Sequence, residues 1–226
     1  MNTKLLEELI ILAHNPEKGG FQSNSTFYLT YALVGGLMFQ LSSEGKMKLE
    51  NNKAIFTDLT TDQNPVIEVM FEKIRTSKKQ KPLKYWIGKL SHKSRKLRLN
   101  LVDKLISSGK LELRTKKFLG IIPFKRTFVV DLTSRNNLIQ RLKNLILMDK
   151  LLEEEDLTLL SLIHICKLYK IFSNDKSERK KIAKKLEETL KNSPISESVN
   201  KTIKEVQTAI MVSVIASSVV TSSSSS

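Results

Sequence analysis

Arg95 and Arg98 lie three residues apart in KSRKLRLN, so on a helix they share one side, a turn apart. At about 100° per residue, Leu97, Leu101, Val102, Leu105 and Ile106 form an apolar arc, and Arg98 falls inside it. A guanidinium aimed at an apolar face is costly unless an anion or acceptor meets it. One reading is a buried ion pair with an acid from elsewhere, such as Glu72 or Asp131. The other is a two-arginine fork near a helix N-terminus, where guanidinium geometry and helix dipole both suit a phosphate.

A second group is the loop Leu119, Gly120, Ile121, Ile122, Pro123, bracketed by Lys116, Lys117, Lys125 and Arg126. An apolar tip ringed by bases can dip into a lipid headgroup layer, where the tip gains by burial and the bases pair with anionic lipids. Such a tip can equally pack on a neighbouring helix or on another subunit.

No catalytic constellation is apparent. His14, His92 and His164 have no Ser, Cys or Asp partner in a recognisable arrangement and read as surface or satisfied histidines. Cys166 stands two residues from His164, on a different helix face, and a single cysteine excludes a disulfide framework and a tetrahedral Cys/His zinc site. Gly35-Gly36 lacks dinucleotide-fingerprint spacing, and no phosphate-binding GxxxxGK motif occurs. Trp86 reads as a core anchor. The expectation is a non-enzymatic protein with no cofactor and no metal.

The 226 residues carry a net charge of +15 in a globular composition, which points to a polyanionic partner. The excess is local. Between Lys73 and Arg126 there are 18 Lys/Arg and 2 acids, a net of +16, and the remainder is nearly neutral at −1. One 54-residue stretch therefore supplies an electrostatic docking surface. Glu7 and Glu8 inside the N-terminal apolar run read against a signal peptide, so numbering is expected to start at Met1. The apolar stretch Ala209 to Val220 is shorter than the roughly 20 residues of a spanning helix.

The elements that must position these residues follow from spacing and turn chemistry. Helices are predicted from Leu5 to Ala13, 25–43, 65–76, 83–90, 93–108, 137–150, 156–172, 175–191 and 198–219. Strands at 46–50 and 53–57 form a short hairpin that, with the preceding helix, makes a winged-helix-like unit. Strands at 110–118 and 124–132 form a longer one, and Lys78 to Pro82 reads as a basic linker. The predicted fold is mainly α: a single helical domain over 1–221, with a short winged-helix-like hairpin, a longer protruding β-hairpin, and a disordered serine tail at 222–226.

Several stretches, in order, resemble the Golgi phosphoprotein 3 family: LLEELIILA, YALVGGLMFQLSSEGKMKLE, YWIGKLS, RKLRLNLVDKLISSGKL, the long hairpin, LTLLSLIHICKLYKIF and AIMVSVIASSVV. The resemblance implies a largely helical domain with a protruding hairpin. It also implies a peripheral membrane protein that binds phosphatidylinositol 4-phosphate on the cytosolic face of the Golgi and retains glycosyltransferases through the coat machinery. The family's two phosphate-gripping helix arginines fall on Arg95 and Arg98. Its pocket tryptophan and second-helix arginine fall on Ser25 and Val34, with Tyr28, Tyr31 or Lys84 as candidate replacements. The arginine-rich extension of eukaryotic members has no counterpart before Leu5. This implies a divergent or prokaryotic member, to which coat and glycosyltransferase partners do not carry over.

The functional expectation is therefore a cytoplasmic, phosphoinositide-binding peripheral membrane adaptor, able to form a homo-oligomer through the long hairpin. The alternative is a winged-helix-like nucleic-acid-binding protein. Its weakness is that the first 72 residues hold little of the excess charge, so no specific nucleic acid is expected.

Overall fold

The structure is a computed structural model that describes residues 2–23, 25–51, 53–59, 64–119, 121–148, 152–192 and 204–216. The serine tail, residues 198–203 and 217–219 of the last expected helix, and Gly120 of the hairpin loop lie outside the described residues.

Helix α1 (Lys4–Ala13) places Leu6, Leu9, Ile10 and Ala13 on its buried side. Its acid Glu7 is not wasted there. Lys104 lies 2.7 Å and Lys110 3.6 Å from the Glu7 carboxylate, and the Thr3 hydroxyl donates to it. Helix α2 (Thr26–Ser43) contains no charged residue, so no side of it gains from water, and from Leu29 to Leu41 it is buried almost all round. Gly35 and Gly36 serve as a packing notch. A Cβ on Gly36 would lie 2.5 Å from Leu6, and one on Gly35 would clash with Ile210.

Strands β1 (Met47–Glu50) and β2 (Lys53–Phe56) pair antiparallel, as expected for the short hairpin. The Asn64 side chain accepts from the Val66 and Ile67 N–H groups and, with Pro65, starts α3 (Pro65–Arg75). The basic linker contributes a third strand, β3 (Lys81–Pro82), paired with β2.

The two helices expected across 83–108 are one, α4 (Leu83–Ser107), of 25 residues. The polar stretch around Ser91 does not break it, because the Ser91 hydroxyl donates to the Gly88 carbonyl at 2.6 Å, and Ser91 and Ser94 are small enough to be buried. Gly109, at φ +71°, ends the helix and leads into β4 (Leu111–Phe118) and β5 (Ile122–Val129). Their register runs from Leu111 opposite Val129 to Phe118 opposite Ile122.

Helix α5 (Leu132–Leu147) begins five residues earlier than expected, because the Asp131 carboxylate accepts the Ser134 N–H at 2.8 Å and ends the strand. Helix α6 (Glu154–Ile165) stops short of the expected 172, since Lys167 takes φ +52° and only a 3-10 turn, Tyr169–Ile171, follows. Helices α7 (Lys176–Asn192) and α8, over 204–216, complete the described chain. The protein is mainly α, with two small antiparallel sheets. Side chains from α1, α2, α4, α6, α7 and α8 share one hydrophobic core.

Candidate functional site

Arg95 and Arg98 lie on one side of α4, but not at its start. Leu83 is about 18 Å away along the axis at 1.5 Å per residue. The continuous helix thus removes the dipole from the argument, since its effect fades within the first turn. What holds Arg98 is an aromatic ring. Its guanidinium lies over Phe21, 5.2 Å from the ring centroid. Arg98 is half-buried and Arg95 is exposed. Burial lowers the Arg98 pKa, and the neighbouring charge of Arg95 lowers it further.

No carboxylate among the described residues answers that charge. Asp131 caps α5, Glu72 is exposed, and among the described residues neither Arg95 nor Arg98 makes an ion pair. Of the two sequence readings for Arg98, the ion pair with Glu72 or Asp131 is the one the structure does not contain.

Phe21 is fixed by the loop between α1 and α2. Gly19 and Gly20 both have positive φ, +69° and +66°, which costs a glycine little. Gly20 N–H donates to the Thr127 carbonyl at 2.7 Å, so the loop is hydrogen-bonded to β5. A Cβ on Gly19 would lie 2.5 Å from the Phe128 ring. His14 also packs against Phe21, ring centroids 4.4 Å apart. Its Nδ1 is 2.7 Å from the Ile10 carbonyl and its Nε2 is 2.9 Å from Thr127 Oγ1. A carbonyl can only accept, so Nδ1 carries the proton and Nε2 accepts from the threonine hydroxyl.

The replacements expected from sequence do not gather here. Ser25 is 1% exposed, with its hydroxyl donated to the Gln22 carbonyl, and Val34 is fully buried. Tyr28 lies under the Lys167 ammonium, Tyr31 is buried against Phe27, and Lys84 is about 20 Å from Arg98 along α4. Phe21 escaped the sequence reading; the available signal was an aromatic directly after a Gly-Gly pair.

The tip of the long hairpin is open to solvent, with Leu119, Ile121 and Ile122 at 79%, 80% and 59% exposed. Its four bases divide. Lys117 and Lys125 are exposed near the tip, whereas Lys116 reaches back over the Phe128 ring and Arg126 turns toward the α1–α2 loop. The expected bracket of four bases round the tip is therefore a bracket of two, because the Phe128 face attracts Lys116 and the Lys18 and Gly19 carbonyls attract Arg126.

His164 and Cys166 are occupied or blocked. Tyr169 Oη lies 2.9 Å from His164 Nδ1, and burial pushes the Cys166 thiol up, away from thiolate chemistry. Trp86 is a core anchor, 2% exposed and edge-on to Phe56 and Tyr85. Among the described residues no group of three or more His, Cys, Asp or Glu could hold a metal ion, and no helix is long and apolar enough to cross a membrane. A cavity of about 500 Å3 beside α1, α2 and α6 is lined by more acids, Glu44, Glu154, Glu155 and Asp156 among them, than bases, Lys4 and Arg141, a balance that disfavours phosphate.

No curated protein matches the chain. The family model described as Golgi phosphoprotein 3 (GPP34) matches residues 5–206, which takes in α1 to α7, the arginine pair and the whole long hairpin. The chain therefore belongs to the Golgi phosphoprotein 3 family.

Proposed function

We propose that this protein is a non-enzymatic peripheral membrane adaptor that lays its basic stretch on an anionic bilayer and holds a phosphoinositide headgroup, phosphatidylinositol 4-phosphate, at Arg95 and Arg98. The observation that carries the reading is the half-buried Arg98 guanidinium, stacked on Phe21, repelled by Arg95 and answered by no carboxylate among the described residues. A cation in that position gains most from an anion that arrives with the ligand, and family membership supports a phosphorylated lipid on a Golgi membrane as its source. In this arrangement the tip residues Leu119, Ile121 and Ile122 enter the headgroup layer or seat a second copy of the chain, while Lys117 and Lys125 meet anionic groups beside them.

The nucleic-acid reading gains nothing from the short hairpin. α2, the helix beside it, is almost wholly buried and presents no face to a groove.

Liposome co-sedimentation tests the proposal, with vesicles carrying phosphatidylinositol 4-phosphate set against phosphatidylserine vesicles of equal charge. Wild type should prefer the phosphoinositide, and Arg95→Ala with Arg98→Ala should lower that affinity about tenfold to a hundredfold. A double variant that binds like wild type refutes the headgroup site.

A further inference from the structure

One base of the long hairpin, Arg126, and one of α4, Arg98, both reach the loop over residues 18–21. Arg126 Nη1 donates to the Lys18 carbonyl at 3.2 Å and lies 3.5 Å from the Gly19 carbonyl. Its Cδ would be 3.9 Å from a Cβ on Gly20. The next residue, Phe21, carries the Arg98 guanidinium on its ring. Arg126 therefore comes from β5 and Arg98 from α4 to adjoining residues of one loop, and Gly20 is hydrogen-bonded to Thr127, the neighbour of Arg126.

The same hairpin face is crowded with like charge. Arg114 stands directly opposite Arg126 in the β4–β5 register, a pairing that disfavours the hairpin unless something negative sits near it. Arg114 has its own partner, the Glu112 carboxylate, and lies over Phe128. Arg126 has no carboxylate among its described contacts: only the loop carbonyls and the Phe124 ring. It is exposed, and its described hydrogen bonds use Nη1 alone.

The geometry points to a composite phosphate site in which Arg126 of the hairpin joins Arg95 and Arg98 of α4, with Phe21 as the floor that holds Arg98 in place. This inference rests on the headgroup reading and names the residues that complete it. Three guanidiniums without a carboxylate among them suit a phosphomonoester, which carries about −1.5 to −2 near neutral pH, better than a singly charged diester or carboxylate. The site thus selects lipids with a terminal phosphate on the headgroup over phosphatidylserine. The loop hydrogen bond to β5 also ties headgroup capture to the orientation of the hairpin that carries the apolar tip.

The test compares Arg126→Ala with Lys125→Ala, the adjacent base of equal charge that points away from the loop, and with Arg126→Lys. Binding is measured on phosphatidylinositol 4-phosphate and phosphatidylserine vesicles, and by calorimetry with soluble glycerophosphoinositol 4-phosphate, which carries the same diester and single phosphomonoester without a membrane. Arg126→Ala should lower affinity for the phosphoinositide vesicles and for the soluble headgroup about tenfold. Lys125→Ala should weaken both vesicle types alike by about threefold or less and leave the soluble headgroup unaffected. Arg126→Lys should restore phosphatidylserine binding but only part of the preference, because a point charge lacks the fork.

A merely structural role for Arg126 would show as a lower thermal midpoint with the lipid preference intact. That result overturns the inference, as does an Arg126→Ala variant indistinguishable from Lys125→Ala. If Arg95→Ala with Arg98→Ala abolishes the preference while Arg126→Ala keeps it, the composite site fails and the headgroup reading stands. If neither change matters, both fail.

Discussion

Arg98 and His14 both contact one ring, Phe21, and burial disfavours the charged form of each. They differ in what is asked of them. Arg98 stays cationic because a guanidinium hardly ever deprotonates, and so it waits for an anion. His14 gives up its proton. Burial pushes its imidazole down to about 4 from an ordinary 6.5, against the Ile10 carbonyl hydrogen bond and with the charge of Arg135.

The sign of the linkage is fixed by that depression. The folded protein binds the His14 proton less readily than the unfolded chain does, so the contribution is complete above about pH 6.5 and drains as pH falls toward about 4, by up to about 3 kcal/mol. Urea unfolding at about pH 7 and about pH 4.5 measures it. His14→Gln, which carries no titrating group, should be less stable than wild type at the higher pH and lose less on acidification. A gap that fails to narrow by about 1 kcal/mol contradicts the assignment.

At the scale of elements, the α1–α2 loop docks the long hairpin onto the core. Gly19 and Gly20 supply left-handed backbone, Gly20 hydrogen-bonds β5, and the missing Gly19 side chain leaves room for the Phe128 ring. Gly19→Ala adds both a strained φ and a clash, so it should cost about 1–3 kcal/mol in urea unfolding. Faster amide exchange at Gly20 is the accompanying local sign. Unchanged stability with unchanged exchange shows that the hairpin is anchored elsewhere. α4 is the other decisive element. With Ser91 bonded within it, the helix runs unbroken from the short sheet to the hairpin root and carries Arg95 and Arg98 in mid-helix, where only side chains can shape the site.

For the whole molecule, the +16 held between Lys73 and Arg126 predicts how binding responds to salt. Attraction of exposed lysines to a phosphatidylserine surface should weaken about tenfold or more from 0.05 to 0.5 M salt as the screening length shortens. The preference for the phosphoinositide rests on half-buried Arg98 and should decline less. Vesicle titrations across that range check this, and a preference that vanishes as fast as bulk attraction places the discrimination on the exposed lysines instead.

The mainly α architecture, both hairpins, the basic stretch and the arginine pair were legible in the chain itself, because helical periodicity, turn residues and charge density are local properties. The family likeness was legible for the same reason, as an order of local motifs. Tertiary structure alone decided that no carboxylate of the described residues reaches Arg98, that Phe21 lies beneath it, and that Ser25 and Val34 are sealed away. It alone turned Arg126 from the tip toward the loop. Those are contacts between residues that lie far apart in sequence, such as Phe21 with Arg98 and Lys18 with Arg126, and no spacing along a chain encodes which distant side chain will fill a given space.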